Sequence, residues 1–114
     1  MKTTLLTLIF ACTTLMLTAQ SKTETLKIAT SAKCGMCKKT METSLPRYEG
    51  ISTVSLDVPS KVLTVTYNPK ATTPEKIRKA VNKTGYDADG QPADQKAHDR
   101  LKPCCRKDAP EHKD

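Results

Sequence analysis

Five cysteines stand at positions 12, 34, 37, 104 and 105 of a 114-residue chain, and two arrangements among them can do chemistry. The first is Cys34-Gly35-Met36-Cys37, whose two thiols can close on one ion, exchange with another disulfide or form a plain bridge. Soft thiolates select Cu(I), Zn(II) and similar thiophilic ions over Mg or Ca. Lys33, Lys38 and Lys39 flank the pair. Their charge lowers thiol pKa values and offsets that of a bis-thiolate complex, which places Lys38 beside the ligands. The second arrangement is Cys104-Cys105. Adjacent cysteines bridge each other only through a strained ring, so each seeks another partner or stays free. Four readings of that pair stand: an additional sulfur for the ion at Cys34 and Cys37, a separate site with His98 or His112, a bridge to another chain, or a free tail.

The elements that must hold these residues follow from periodicity. Residues 22–31 alternate with Leu26, Ile28 and Thr30 on one face, which predicts a strand ending just before Cys34. Cys37, Met41 and Leu45 recur at a spacing of four, which predicts a helix over 36–45 stopped by Pro46. Its positive amino end then lies at the cysteine pair and stabilises thiolates. Residues 51–58 alternate through Val54, Leu56 and Val58. Pro59-Ser60-Lys61 turns the chain into a second alternating run, 62–67, so these two form an antiparallel hairpin. Thr73-Pro74-Glu75 opens a helix that carries Ile77, Ala80, Val81 and Thr84 inward and ends at Gly85. Tyr86 to Gly90 is long enough for a short last strand.

The order strand, helix, strand, strand, helix, strand is the α+β, ferredoxin-like βαββαβ arrangement, with a four-stranded antiparallel sheet and a C-terminal tail. Its expected core is Leu26, Ile28, Met41, Leu45, Val54, Leu56, Leu63, Val65, Ile77 and Val81. Only 37% of the chain is hydrophobic, with one phenylalanine and no tryptophan, so one small domain is all it can build. Residues 24–90 supply that domain and residues 91–114 a polar tail, with a short helix over 93–101.

Residues 1–19 read as a secretory signal peptide, with Lys2, an apolar run from Leu5 to Thr18 and a small residue, Ala19, before the cleaved bond. The run is shorter than the roughly 20 apolar residues that span a bilayer. Cleavage removes Cys12 and lowers the net charge from +7 to +6 through loss of Lys2. The competing reading acylates Cys12, and a membrane contact is expected only in that case. The compartment is periplasmic or secreted. Basic residues are scattered without interleaved aromatics, so nucleic acid is not an expected partner. No histidine or carboxylate constellation accompanies a nucleophile, so the chain is not read as an enzyme.

With the pair after strand one, Gly85-Tyr86 after helix two and this element order, the sequence resembles the heavy-metal-associated domain family. That family includes small copper chaperones, the periplasmic mercury-binding protein, and the amino-terminal domains of metal-pumping ATPases. The resemblance implies that Cys34 and Cys37 are the metal ligands and that Tyr86 is a neighbour of the site. It implies Cu(I) as the ion, with Hg(II) the alternative for two thiolates. Zn(II) prefers four ligands and would recruit Cys104 and Cys105. The implied partner is a metal-transporting ATPase or another metal-accepting protein. The family's usual loop carries methionine two residues before the first cysteine, where Ala32 stands here. Met36 either takes over that packing role or adds a weak thioether contact to the ion.

Overall fold

The computed structural model describes residues 22–107. The alternating runs become β1 (Glu24–Ala29), β2 (Ile51–Asp57) and β3 (Val62–Tyr67), an antiparallel sheet in the order β1-β3-β2. Register puts like residues in rows: Leu26, Val65 and Val54 lie abreast, as do Ile28, Leu63 and Leu56. Ile28, Leu63 and Val65 are fully buried, while Leu26 and Val54 are partly covered. Truncating a buried Ile or Leu typically costs about 2–5 kcal/mol, a large part of a small domain's stability. The β1–β3 pair is thus the rigid frame behind the first cysteine loop.

Ile51 is buried although strict alternation from Val54 would turn it outward. A bulge explains this, because Ile51 pairs with Tyr67 while Thr53 already pairs with Thr66. The extra residue shifts the phase and brings Ile51 to the core face.

α1 (Gly35–Ser44) buries Cys37 and Met41 and runs into a 3-10 turn, Leu45–Arg47, where Pro46 ends the regular helix and Leu45 is buried. α2 (Pro74–Thr84) buries Ile77, Ala80 and Val81. Both stripes join the apolar rows of the sheet in one cluster. All of the expected core residues lie in or against it, together with Ala32, Cys34, Cys37, Ile51, Tyr67, Ala80, Tyr86, Ala88 and Cys105.

The expected fourth strand is corrected. The sheet has three strands, and residues 86–90 contribute only isolated bridges from Ala88 to Thr30 and to Gln91. Asp89 and Gly90 both have positive φ, 47° and 82°. Ala88 and Gln91 exchange both backbone hydrogen bonds, at 3.0 and 2.8 Å, so the chain reverses before a strand can extend. Asp89 still ties this corner to β1: its N–H donates to the Ala29 carbonyl at 2.8 Å, and its Oδ1 accepts from the Ala29 N–H at 2.9 Å.

Beyond the turn lie α3 (Gln95–Asp99), shorter than the expected 93–101, and a 3-10 turn over Pro103–Cys105. Asp94 caps α3 by accepting from the Ala97 N–H, and its own N–H donates to the Asn82 carbonyl at the end of α2. Among the described residues no helix is long and apolar enough to cross a membrane. The signal-peptide reading of 1–19 lies outside the described residues.

Candidate metal centre

Cys34 is the residue before α1. Its backbone is extended, at φ −151° and ψ 173°, and its side chain makes no capping hydrogen bond. The loop that leads to it is pinned from three sides. Thr30 Oγ1 donates to the Lys61 carbonyl at 2.8 Å and accepts from the Ala32 N–H. Ser31 Oγ accepts from the Asp87 N–H at 2.9 Å. The Lys33 N–H points at Cys37 Sγ, 3.4 Å away. Ala32 is buried beneath the loop.

The two sulfurs of the pair are 3.5 Å apart and buried, Cys34 at 5% exposure and Cys37 at 0%. The tail folds back over them. Cys105 Sγ lies 3.8 Å from Cys34 Sγ, Cys104 Sγ lies 3.9 Å from it, and the two tail sulfurs are 3.8 Å apart. Cys34, Cys104 and Cys105 thus form a cluster whose sulfurs all lie within 4.8 Å of one another. Cys37 adjoins it through Cys34. Cys105 is buried and Cys104 partly exposed.

The electrostatics divide these thiols. Burial disfavours the Cys34 thiolate, but the N–H groups of Cys37 and Met36 at the start of α1, with the Cys37 and Cys105 thiols, hold its pKa below the ordinary thiol value. Burial pushes the Cys105 thiol up, and the neighbouring Cys37, Cys34 and Cys104 thiols push it further.

Tyr86 is completely buried, and its hydroxyl has no hydrogen-bond partner. Burial, then the charge and contact of the Cys37 and Cys105 thiols, drives its pKa strongly upward. It stays a neutral O–H facing the sulfurs. An unsatisfied buried donor is costly, and a thiolate is a suitable acceptor for it.

Two expected neighbours stand differently. Lys38 turns away from the sulfurs: Nζ donates to the Leu56 carbonyl at 2.9 Å and pairs with Glu42, also at 2.9 Å. Helix geometry explains this, since Glu42 is four residues on and on the same side. Met36 does not pack under the loop. It is 39% exposed, with Sδ 3.8 Å from Cys104 Sγ, so its thioether lies on the outer side of the sulfur cluster. His98 is tied up in the tail, where Nε2 accepts from the Lys107 N–H at 3.2 Å. His112 lies outside the described residues.

The heavy-metal-associated domain matches residues 31–87, half of the chain. The chain belongs to the heavy-metal-associated domain family. It carries a metal-binding domain. The mercuric transport protein periplasmic component of Shewanella putrefaciens is 31% identical over 86 residues, 75% of this chain and 93% of that protein. Copper-transporting ATPase 1 of Rattus norvegicus is 33% identical over 55 residues, 48% of this chain but only 4% of the ATPase. The chain therefore corresponds to a small portion of such pumps. Among solved structures, oxidized MerP from Ralstonia metallidurans CH34 superposes with a TM-score of 0.55 at 25% identity, over 59% of this chain and 94% of that one. The heavy-metal-associated domain here has the ferredoxin-like layout of its relatives, with isolated bridges at Ala88 in place of a last strand.

Proposed function

We propose that the protein captures a soft metal ion, Cu(I) foremost, on the thiolates of Cys34 and Cys37 and passes it to a metal-transporting ATPase or another metal-accepting protein by ligand exchange. The observation that carries this reading is the placement of two sulfurs 3.5 Å apart at an uncapped helix start. The N–H groups of Met36 and Cys37, with the positive end of α1, favour anionic sulfur there. Transfer then needs no release into water: an incoming thiolate bonds to the ion before a resident one leaves, and the count of metal–sulfur bonds is preserved. In this reading residues 1–19 direct export to a periplasmic or secreted location, residues 24–90 hold the ion, and residues 91–114 are an accessory tail.

Anaerobic titration with Cu(I) against a chromogenic chelator tests it. One ion per chain is expected, bound at least about a hundredfold more tightly than by the Cys34→Ser, Cys37→Ser double variant. Equal affinity of the two proteins would sink the reading. Hg(II) is the second candidate ion, because the relative matched along 93% of its length is by name a mercuric transport protein. Competition among Cu(I), Hg(II) and Zn(II) ranks them. A thiol-disulfide oxidoreductase would instead reduce insulin disulfides at a measurable rate and hold no ion tightly.

A further inference from the structure

We propose that Cys104 and Cys105 form with Cys34 a second, three-thiolate donor set, so that the tail is a closed strap that retains the ion and must be displaced before the ion leaves. This rests on the reading that Cys34 and Cys37 receive the ion, and it adds the element that regulates its release.

Three observations carry the proposal. The first is metric. The Cys34, Cys104 and Cys105 sulfurs form a nearly equilateral triangle with edges of 3.9, 3.8 and 3.8 Å. Its centre lies about 2.2 Å from each corner, close to a metal–thiolate bond of about 2.3 Å. The second is the Tyr86 hydroxyl, fully buried and unpartnered against the sulfurs. It can donate to a thiolate once an ion has displaced the thiol protons.

The third is that the strap is anchored by its own contacts, independently of any ion. Lys107 Nζ pairs with Asp87 at 2.7 Å. Arg106 donates to the carbonyls of Leu101 and Asp99. Lys33 Nζ donates to the Lys107 carbonyl, which closes the strap onto the residue beside Cys34. Gly85 leaves the space into which the tail settles, since a Cβ there would stand 3.0 Å from the Ala97 carbonyl oxygen and from Leu101 Cγ.

The consequence is a gate. With the strap closed, Cys34 and Cys37 are inaccessible to another protein. Cys104 is the more exposed tail sulfur, next to the exposed Met36 thioether, and so marks the side of entry. An incoming thiolate first forms its bond to the ion as the bond to Cys104 breaks. A second incoming thiolate replaces Cys105 in the same way, and the two freed tail thiolates take up the protons that the incoming thiols gave up. The tail sulfurs thereby hold the place of the partner's sulfurs until a partner arrives.

The test uses the full chain loaded anaerobically with Cu(I), comparing the unaltered protein with the Cys104→Ser, Cys105→Ser double variant and with Asp87→Asn, which loosens the strap but keeps all four thiols. X-ray absorption counts the sulfurs around copper, and chelator challenge reads the release rate. The expected result is at least three sulfurs in the unaltered protein and two in the double variant, with release at least about tenfold faster. Asp87→Asn should speed release by a smaller factor. An unchanged sulfur count and release rate in the double variant would overturn the strap while leaving the Cys34–Cys37 reading intact. Loss of binding on replacing Cys37 alone, which leaves the Cys34, Cys104 and Cys105 thiols in place, tests that reading separately.

Discussion

At α2 both ends of the helix are closed by the chain itself. Thr73 Oγ1 accepts from the Lys76 N–H at 3.2 Å, Pro74 occupies the first turn, Glu75 faces the positive end, Lys83 lies in the last turn, and Gly85 closes the helix at φ 111°. Each of these devices satisfies an otherwise orphaned backbone group or complements the helix dipole. At α1 they are missing. The residue at the cap position is Cys34, whose side chain makes no cap hydrogen bond; the first turn has no acidic residue and the last turn no basic one. The two helices share one core cluster, so packing does not account for the contrast. α2 is terminated by its own side chains, whereas the start of α1 presents the Met36 and Cys37 N–H groups to the Cys34 sulfur, an arrangement that suits the proposed thiolate site.

The sharpest way to break this contrast is Cys34→Ser, which puts a favourable capping residue where a thiolate is needed. The metal-free protein should unfold within about 1 kcal/mol of the original, toward greater stability. The added stability on loading, about 4 kcal/mol when free ion exceeds Kd a thousandfold, should largely vanish. Urea unfolding with and without Cu(I) measures both. If the variant keeps its metal-induced stabilisation, α1 is an ordinary helix with a poor cap.

Gly85→Ala acts at the other helix. A left-handed φ costs a non-glycine residue about 1–2 kcal/mol, and the added Cβ presses on Ala97 and Leu101. Lower stability is expected, with faster amide exchange over α3 and residues 103–105, read by hydrogen exchange. Thr73→Ala should cost about 1 kcal/mol through loss of the α2 cap and leave metal affinity unchanged. A change in affinity would mean that the two helix starts are coupled.

Tyr86→Phe sharpens the picture at the site. Removing an unpartnered hydroxyl should raise metal-free stability by up to about 1 kcal/mol, because its desolvation is uncompensated. It should also weaken Cu(I) binding a few-fold, giving opposite signs in calorimetry and in metal titration. The smallest effect is electrostatic. Burial works against the Asp87 carboxylate, but Lys107, the Ala93 N–H and His98 hold its pKa below the usual aspartate range. Its contribution to tail docking is therefore fully present above about pH 4 and is lost as pH falls through the lower folded value. Amide exchange over residues 95–107 should accelerate with that acidification, and less so in Asp87→Asn.

Several elements were legible because their signals are local. The alternating runs, the spacing of Cys37, Met41 and Leu45, and the Thr73-Pro74-Glu75 start each depend on neighbours within a few residues, and each formed where expected. The Asp89-Gly90 turn was equally local. It is a strong two-residue hairpin signal, and reading 86–90 as a strand overlooked it. Ile51 was hidden for a different reason, since a bulge changes the phase on which alternation rests. Proximity along a helix does not give direction: Glu42 draws the Lys38 side chain to itself, whereas the Met36 thioether lies against Cys104 at the sulfur cluster.

The sequence by itself determined that two soft ligands stand between a strand and a helix start, because that junction is written in residues 24–45. It could not determine where Cys104 and Cys105 go. They meet Cys34 across seventy residues of chain. That meeting depends on a missing Cβ at Gly85, a reversal at Asp89-Gly90 and an ion pair between Lys107 and Asp87. Spacing encodes what one turn of helix or one strand can bring together. Contacts among distant segments exist only once the folded body supplies the surface on which the tail settles.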